Sequence, residues 1–248
     1  MSAFVLALVA GALTGLALGA LGGGGSVLAV PALIYLLDLT PAAAATASLV
    51  VVTVTSATAL IGHAREGTVR GKHGLLFALA GLGPAAVGGA VSTRLPAGVL
   101  TGVFAVIAAV AALRMLRPSA SAPTEAPARP VRVAAAGAGL GAVTGVLGVG
   151  GGFLAVPALV NVVGLRMRAA VGTSLLVITL NSLVALAARA GADVSVDWAR
   201  VAPFAAAAVL AAWDGKRLAA RISAGSLQRI FAGALLAVAA FMLADAVL

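Results

Sequence analysis

ALGGGGSVLAVPAL occupies residues 20 to 33, and its middle, Gly22-Gly23-Gly24-Gly25-Ser26, has the composition of a flexible linker. Yet no Lys, Arg, Asp or Glu lies between Met1 and Leu37. The chain has 248 residues, of which 62% are hydrophobic and 9% charged, with a mean hydropathy of +1.16. A soluble domain carries about a quarter charged residues. Met1 to Leu21 and Ala42 to Ile61 each run uncharged for about 20 residues, the length of helix that crosses about 30 Å of hydrocarbon. The chain therefore reads as an all-α integral membrane protein with several spans. Porin-type strands, about ten residues each and alternating in polarity, do not fit. The glycine run is then flexible backbone at membrane depth, where no water satisfies it.

The first apolar segment lacks the basic n-region of a signal peptide and recurs in mid-chain, so it reads as a retained membrane segment. The net charge of +9 sits in short connections between apolar runs, and aromatics make up only 4%. Membrane orientation explains such charge, and no nucleic-acid surface is expected. The chain has no cysteine, and its two histidines, His63 and His73, are placed in one polar loop without metal-ligand spacing. The seven acids are dispersed and lie mostly at segment ends. No cofactor, metal site or enzymatic constellation is expected.

The glycine segment occurs twice. Shifted by 126 positions, Gly19, Gly22, Gly24 and Gly25 meet Gly145, Gly148, Gly150 and Gly151, and Val30-Pro31-Ala32-Leu33 meets Val156-Pro157-Ala158-Leu159. Further on, Ser48-Leu49 meets Ser174-Leu175, Thr53 meets Thr179 and Ser56 meets Ser182. Two halves of one design follow, residues 1–116 and 131–248. Between them, 117–130 is rich in Pro, Ala and Ser and reads as a flexible cytoplasmic linker.

Each half holds five apolar stretches: 3–21, 26–37, 41–62, 74–93 and 98–116, then 133–148, 152–164, 169–189, 199–214 and 226–247. The second of each five is near a dozen residues, about 18 Å of helix and too short to span. If the first two form a hairpin that turns at the glycines and returns, each half crosses an odd number of times and the halves are inverted. Charge agrees. The hairpin arrangement collects Arg65, Arg70, Lys72, Arg114, Arg117, Arg129, Arg132, Arg166, Arg168, Lys216, Arg217, Arg221 and Arg229 on one side. Arg94, Arg189 and Arg200 fall on the other with Asp38, Asp193, Asp197 and Asp245. That is a strong positive-inside bias. The expected architecture is two inverted repeats of about five helical segments each, with glycine-rich broken or re-entrant hairpins meeting near the midplane and both termini outside.

Irregular backbone inside a membrane is tolerated where protein buries it or a watery cavity borders it. In transporters built from inverted repeats, broken helices meet at the substrate site. Glycine permits positive φ and close approach of a ligand to backbone. The helix starts just after each run, near Ser26 and Gly152, offer free N–H groups and the positive end of a dipole to an anion. The candidate binding residues are Gly23, Gly24, Gly25 and Ser26 with Gly150, Gly151 and Gly152. Ser48, Ser174 and Thr173 join them because the two serines are equivalent in the halves. Gly11/Gly15/Gly19 and Gly137/Gly141/Gly145 are spaced for helix packing instead. Pro31 and Pro157 read as stiffening the short helices. Asn181 requires partners if buried. Asp214 reads as an interface residue beside Trp213, with proton coupling as the sharper alternative. His63 reads as an exposed loop histidine, with proton carriage as its alternative.

In these segments the chain resembles the TauE/SafE family of sulfite exporter-like permeases. The resemblance rests on the glycine-and-VPxL segments Gly15–Leu33 and Gly141–Leu159, on TASL and GTSL (Thr46–Leu49, Gly172–Leu175), and on Gly215–Ser223. It implies a secondary transporter of the bacterial cytoplasmic membrane that exports sulfur-containing anions such as sulfite, sulfoacetate or related organosulfonates. Membrane lipid is its surroundings, and proton coupling and oligomeric state stay open. Ser26 is matched by Gly152 and Gly23 by Val149, so the two turns are not equivalent. An anion channel and a non-transporting membrane scaffold are the other readings.

Overall fold

The computed structural model describes residues 2–22, 24–92, 97–116, 129–147, 152–188 and 195–247. These form ten helices and, among the described residues, no strand. The first half contributes α1 (Ser2–Leu21), α2 (Gly24–Tyr35), α3 (Pro41–Arg65), α4 (Gly71–Ser92) and α5 (Ala97–Leu116). The second contributes α6 (Pro130–Leu147), α7 (Gly152–Asn161), α8 (Met167–Ala188), α9 (Trp198–Arg221) and α10 (Ala224–Val247). Each answers one predicted apolar stretch. The largest departure is α9, which runs to Arg221 rather than 214, because good helix formers (Lys216, Arg217, Leu218) carry the helix beyond the apolar run. The expected linker lies, except for Arg129 and Pro130, outside the described residues. The two histidines are not in one loop: His63 ends α3 and His73 opens α4.

Local chemistry explains the boundaries. Thr40 caps α3, its hydroxyl accepting from the Ala43 N–H at 3.3 Å, and Pro41 follows at the first helical position. Asp197 accepts from the Ala199 N–H at the start of α9, and Ser223 from the Ser226 N–H at the start of α10. The short helices α2 and α7 end in the same turn. Asp38 and Gly164, 126 positions apart, both take positive φ, 53° and 80°. The Leu39 N–H donates to the Leu33 carbonyl and the Leu165 N–H to the Leu159 carbonyl, at 3.2 and 2.9 Å. The repetition thus extends to backbone that the side chains do not repeat.

The closest helix pairs join the two halves. Gly11, Gly15 and Gly19 of α1 lie against the carbonyls of Phe204, Ala208 and Ala212 in α9, each four residues on, so these helices run parallel. Gly137 and Gly141 of α6 lie in the same way against Phe77 and Gly81 of α4. Backbone touches backbone in both seams, as the glycine spacing predicts. At the centre, α3 and α8 run antiparallel: Ser56 meets Thr179 at 2.9 Å, while Thr68, beyond the end of α3, meets Gly172 near the start of α8. Phe77, Phe204 and Phe231 are among the largest fully buried side chains. Outside, Phe4, Leu13, Leu79, Val87 and Leu210 are more than half exposed. So broad an apolar exterior suits lipid as solvent. Among the described residues, α1, α3 and α8 are long and apolar enough to cross a membrane.

The contacts also sort the charges. The Arg70 N–H donates to Thr173 near the start of α8, Arg168 reaches the Ile222 carbonyl after α9, and Gln228 of α10 reaches the Met115 carbonyl of α5. These ends lie together, carrying Arg65, Arg70, Lys72, Arg114, Arg132, Arg166, Arg168, Arg217 and Arg221. The opposite end carries Asp38 and the Asp197–Arg200 pair, at 3.1 Å.

Candidate functional site

Leu21 ends α1, Gly22 turns the chain at φ 70°, and Gly24 begins α2. The turn is buried. A β-carbon on Gly22 would fall on the Ser174 hydroxyl and lie 3.2 Å from both the Val156 side chain and the Val171 carbonyl. The first turn therefore seats against α7 and α8 of the other half. Val156 lies four residues into α7 from Gly152, about 6 Å of helix. The turn before α2 therefore lies beside the middle of α7, and the two short helices touch. Each start leaves its first N–H groups without intrahelical partners. Gly24, Gly25 and Ser26 form the first turn of α2, and Gly152 opens α7. Gly23, Gly150 and Gly151 lie outside the described residues. Proline does not end the short helices: α2 continues through Pro31 to Tyr35, and α7 through Pro157 to Asn161.

The hydroxyl candidates are buried, with individual partners. Ser174 donates to the Val171 carbonyl at 2.8 Å while bordering Gly22. Thr173 accepts from the Arg70 N–H at 3.0 Å and so fastens the α3–α4 loop to α8. Ser48 donates to the Ala45 carbonyl at 2.8 Å. Back-bonding of this kind is the usual role of a hydroxyl in a membrane helix. Ser174 lies at the first turn, Thr173 faces Arg70 of the α3–α4 connection and Gly74 of α4, and Ser48 lies far along α3 from both. Asn181 Oδ1 and Thr55 Oγ1 are buried without a hydrogen-bond partner. They occupy equivalent positions, 126 apart, on α8 and α3.

His63 is not an exposed loop residue. It is 6% exposed and reaches the end of α1, with Nε2 3.4 Å from the Gly19 carbonyl and Nδ1 3.2 Å from the Thr68 hydroxyl. Thr68 in turn lies 2.9 Å from the His63 carbonyl as a donor. A carbonyl only accepts, so Nε2 donates to Gly19. The single Thr68 proton serves either Nδ1 or the His63 carbonyl. All three contacts are made at once only when both ring nitrogens carry protons. Asp214 is exposed and sits 3.4 Å from Arg217, an orientation cluster rather than a buried acid. Among the described residues no group of His, Cys, Asp or Glu could hold a metal ion.

Sequence reasoning counted Gly22 among the glycines able to turn the chain but began the binding residues at Gly23, and so left out Gly22, which takes positive φ and packs on Ser174. The signal was present in its match with Gly148. It also missed the Gly19 carbonyl and Thr68, because backbone acceptors and loop hydroxyls leave no pattern.

The chain matches the family model for sulfite exporter TauE/SafE over residues 7–242. It is 34% identical to a probable membrane transporter protein of Xylella fastidiosa strain 9a5c, over 98% of this chain and 96% of that protein. It is 28% identical to the probable membrane transporter protein YunE of Bacillus subtilis strain 168, over 89% of this chain and 88% of that one. No solved structure matches it.

Proposed function

As this chain belongs to the TauE/SafE sulfite exporter family and is a multi-pass membrane transporter of bacterial type, we propose that it exports a small sulfur-containing anion: sulfite, sulfoacetate or a related organosulfonate. The anion binds backbone amides at the starts of α2 and α7, with Gly23 to Ser26 and Gly150 to Gly152 around it. Ser174 braces the first turn from behind, with Thr173 next to it on α8, and Ser48 is the equivalent serine on α3. The single observation that carries this reading is the buried turn at Gly22, which delivers the start of α2 to the middle of α7 deep in the protein. A neutral site of this kind holds a negative charge without a buried Lys or Arg.

The two halves, 1–116 and 131–248 joined by a cytoplasmic linker, are read as inverted repeats. The antiparallel contact of the equivalent helices α3 and α8 supports this, as do the parallel seams α1–α9 and α4–α6. The collection of arginines at one end marks that end as cytoplasmic. In the proposed cycle one half rocks against the other and opens the site first to the cytoplasm, then outside. The inside-negative potential alone favours efflux of a monoanion by about 2.3 kcal/mol per 100 mV. Of the two coupling candidates, His63 is preferred over Asp214. It is buried, it touches α1 three residues before the turn, and the donor and acceptor roles in its contacts depend on which ring nitrogen carries a proton.

Proteoliposomes loaded with unlabelled sulfite test the reading. External radiolabelled sulfite should accumulate by counterflow and saturate. With a pH gradient imposed, His63→Gln should lose the gradient's effect on flux while Asp214→Asn retains it. Flux that neither saturates nor shows counterflow marks a channel, and no flux with any anion of this class overturns the assignment.

A further inference from the structure

A groove of about 580 Å³ opens on the outside of the bundle between α5, α6 and α7. It lies apart from the glycine turn. Its walls are apolar, lined by Val106 and Val110 of α5, Leu140 and Val143 of α6, and Pro157 of α7. Its polar groups are Arg114 and Arg132, with Asn161. All three belong to the basic end: Arg114 closes α5, Arg132 opens α6, and Asn161 closes α7, which runs back toward the start of α6. Neither arginine makes a salt bridge among the described residues.

Small residues on α6 create the groove. Ala135 and Gly139 stand where the first half has Val9 and Leu13, and Arg132 and Asn161 stand where it has Leu6 and Tyr35. A β-carbon on Gly139 would meet nothing within 4 Å. The repeat has thus been emptied of bulk, and given charge, in one half only. From Arg132 to Val143 is 11 residues, about 16 Å of helix, close to the hydrocarbon depth of one leaflet.

We propose that this groove is a binding site for an anionic phospholipid of the leaflet at the basic end, one acyl chain lying along Gly139 and the phosphate held by Arg114 and Arg132. Charge complementarity selects this occupant. A free anion gains nothing from an apolar trench, and a neutral lipid leaves two guanidinium groups without a counter-charge. Arginine suits the phosphate because its planar fork donates two bonds to one group.

The test uses the purified full-length protein and counts bound lipid by native mass spectrometry. Phosphatidylglycerol should be retained over phosphatidylcholine by on the order of tenfold, two arginines near the surface each contributing to the preference. Arg114→Gln with Arg132→Gln should bring that ratio close to one. Gly139→Leu, which restores the bulk of the first half and meets open space, should remove the bound lipid of both kinds while the protein stays folded. Glycerol 1-phosphate, the headgroup without chains, should not compete. Unchanged phosphatidylglycerol retention in both variants overturns the proposal, as does equal competition by glycerol 1-phosphate. The chain has no cysteine of its own, so Ala135→Cys reports on a second copy in the groove. High-yield disulfide dimers at that position would also overturn the lipid assignment.

Discussion

Gly15→Leu should leave almost no folded transporter in the membrane. A β-carbon at this position falls on the carbonyl of Ala208 and lies 2.7 Å from its Cα, and neither atom belongs to a side chain that can rotate away. Only separation of α1 from α9 relieves the overlap. That separation opens the Gly11 and Gly19 contacts with it, because the three glycines form one continuous seam. Overpacking of a rigid site costs about 3 kcal/mol or more, which lowers the folding equilibrium constant on the order of a hundredfold for each such contact. Gly141→Leu should act alike, since its β-carbon would meet the backbone of Gly81. Gly102→Leu, whose β-carbon meets nothing within 4 Å, is the control and should leave stability near that of the parent. The measurement is the yield of monodisperse protein and its thermal midpoint in detergent. Normal yield for Gly15→Leu would mean that α1 and α9 are not joined as described.

Gly22→Ala should abolish sulfite flux, and Ser174→Ala should restore part of it. Two separate penalties act at Gly22. The left-handed backbone, φ 70°, costs an L-residue about 1–2 kcal/mol. The added methyl also collides with the Ser174 hydroxyl, a steric penalty of about 1–3 kcal/mol. Removing the Ser174 oxygen relieves the second penalty and not the first. Ser174→Ala alone should be mild, because that hydroxyl bonds only to the Val171 carbonyl of its own helix. The double variant should therefore be more active than Gly22→Ala and less active than the parent, a coupling read directly from the four-member cycle. Additivity of the two changes would show that the turn does not rest on α8.

Most of the helical framework was legible because a membrane imposes a coarse rule: long uncharged runs span and short ones do not. The glycine seams were legible for a related reason. Gly11, Gly15 and Gly19 are four apart, so their small faces align on one side of α1 whatever they meet. What they meet was not legible. That α1 packs on α9, and α6 on α4, depends on how one half docks on the other, and spacing within a helix says nothing about it. His63 was misplaced for a local reason. It precedes Arg65 and Glu66, so composition marks a solvated loop, whereas α3 in fact holds the ring under the end of α1. The turn at Gly22 was half legible. A run of four glycines shows where backbone can bend, and only the packing of Ser174 and Val156 shows that Gly22 is held in such a bend.

The central claim is that backbone amides at the starts of α2 and α7 hold the anion, and proline tests it at a single atom. Gly24 and Gly152 are the first helical residues, a position where proline fits the helix and deletes only the N–H. Sulfite affinity should be measured by saturation of counterflow for Gly24→Pro, Gly152→Pro and the corresponding alanine variants. A hydrogen bond to a charged group contributes about 1.5–3 kcal/mol. Each proline variant should therefore weaken sulfite binding by at least about tenfold, while each alanine, which keeps its N–H, stays within about threefold of the parent. Proline variants that bind sulfite as tightly as the alanine variants would contradict the account.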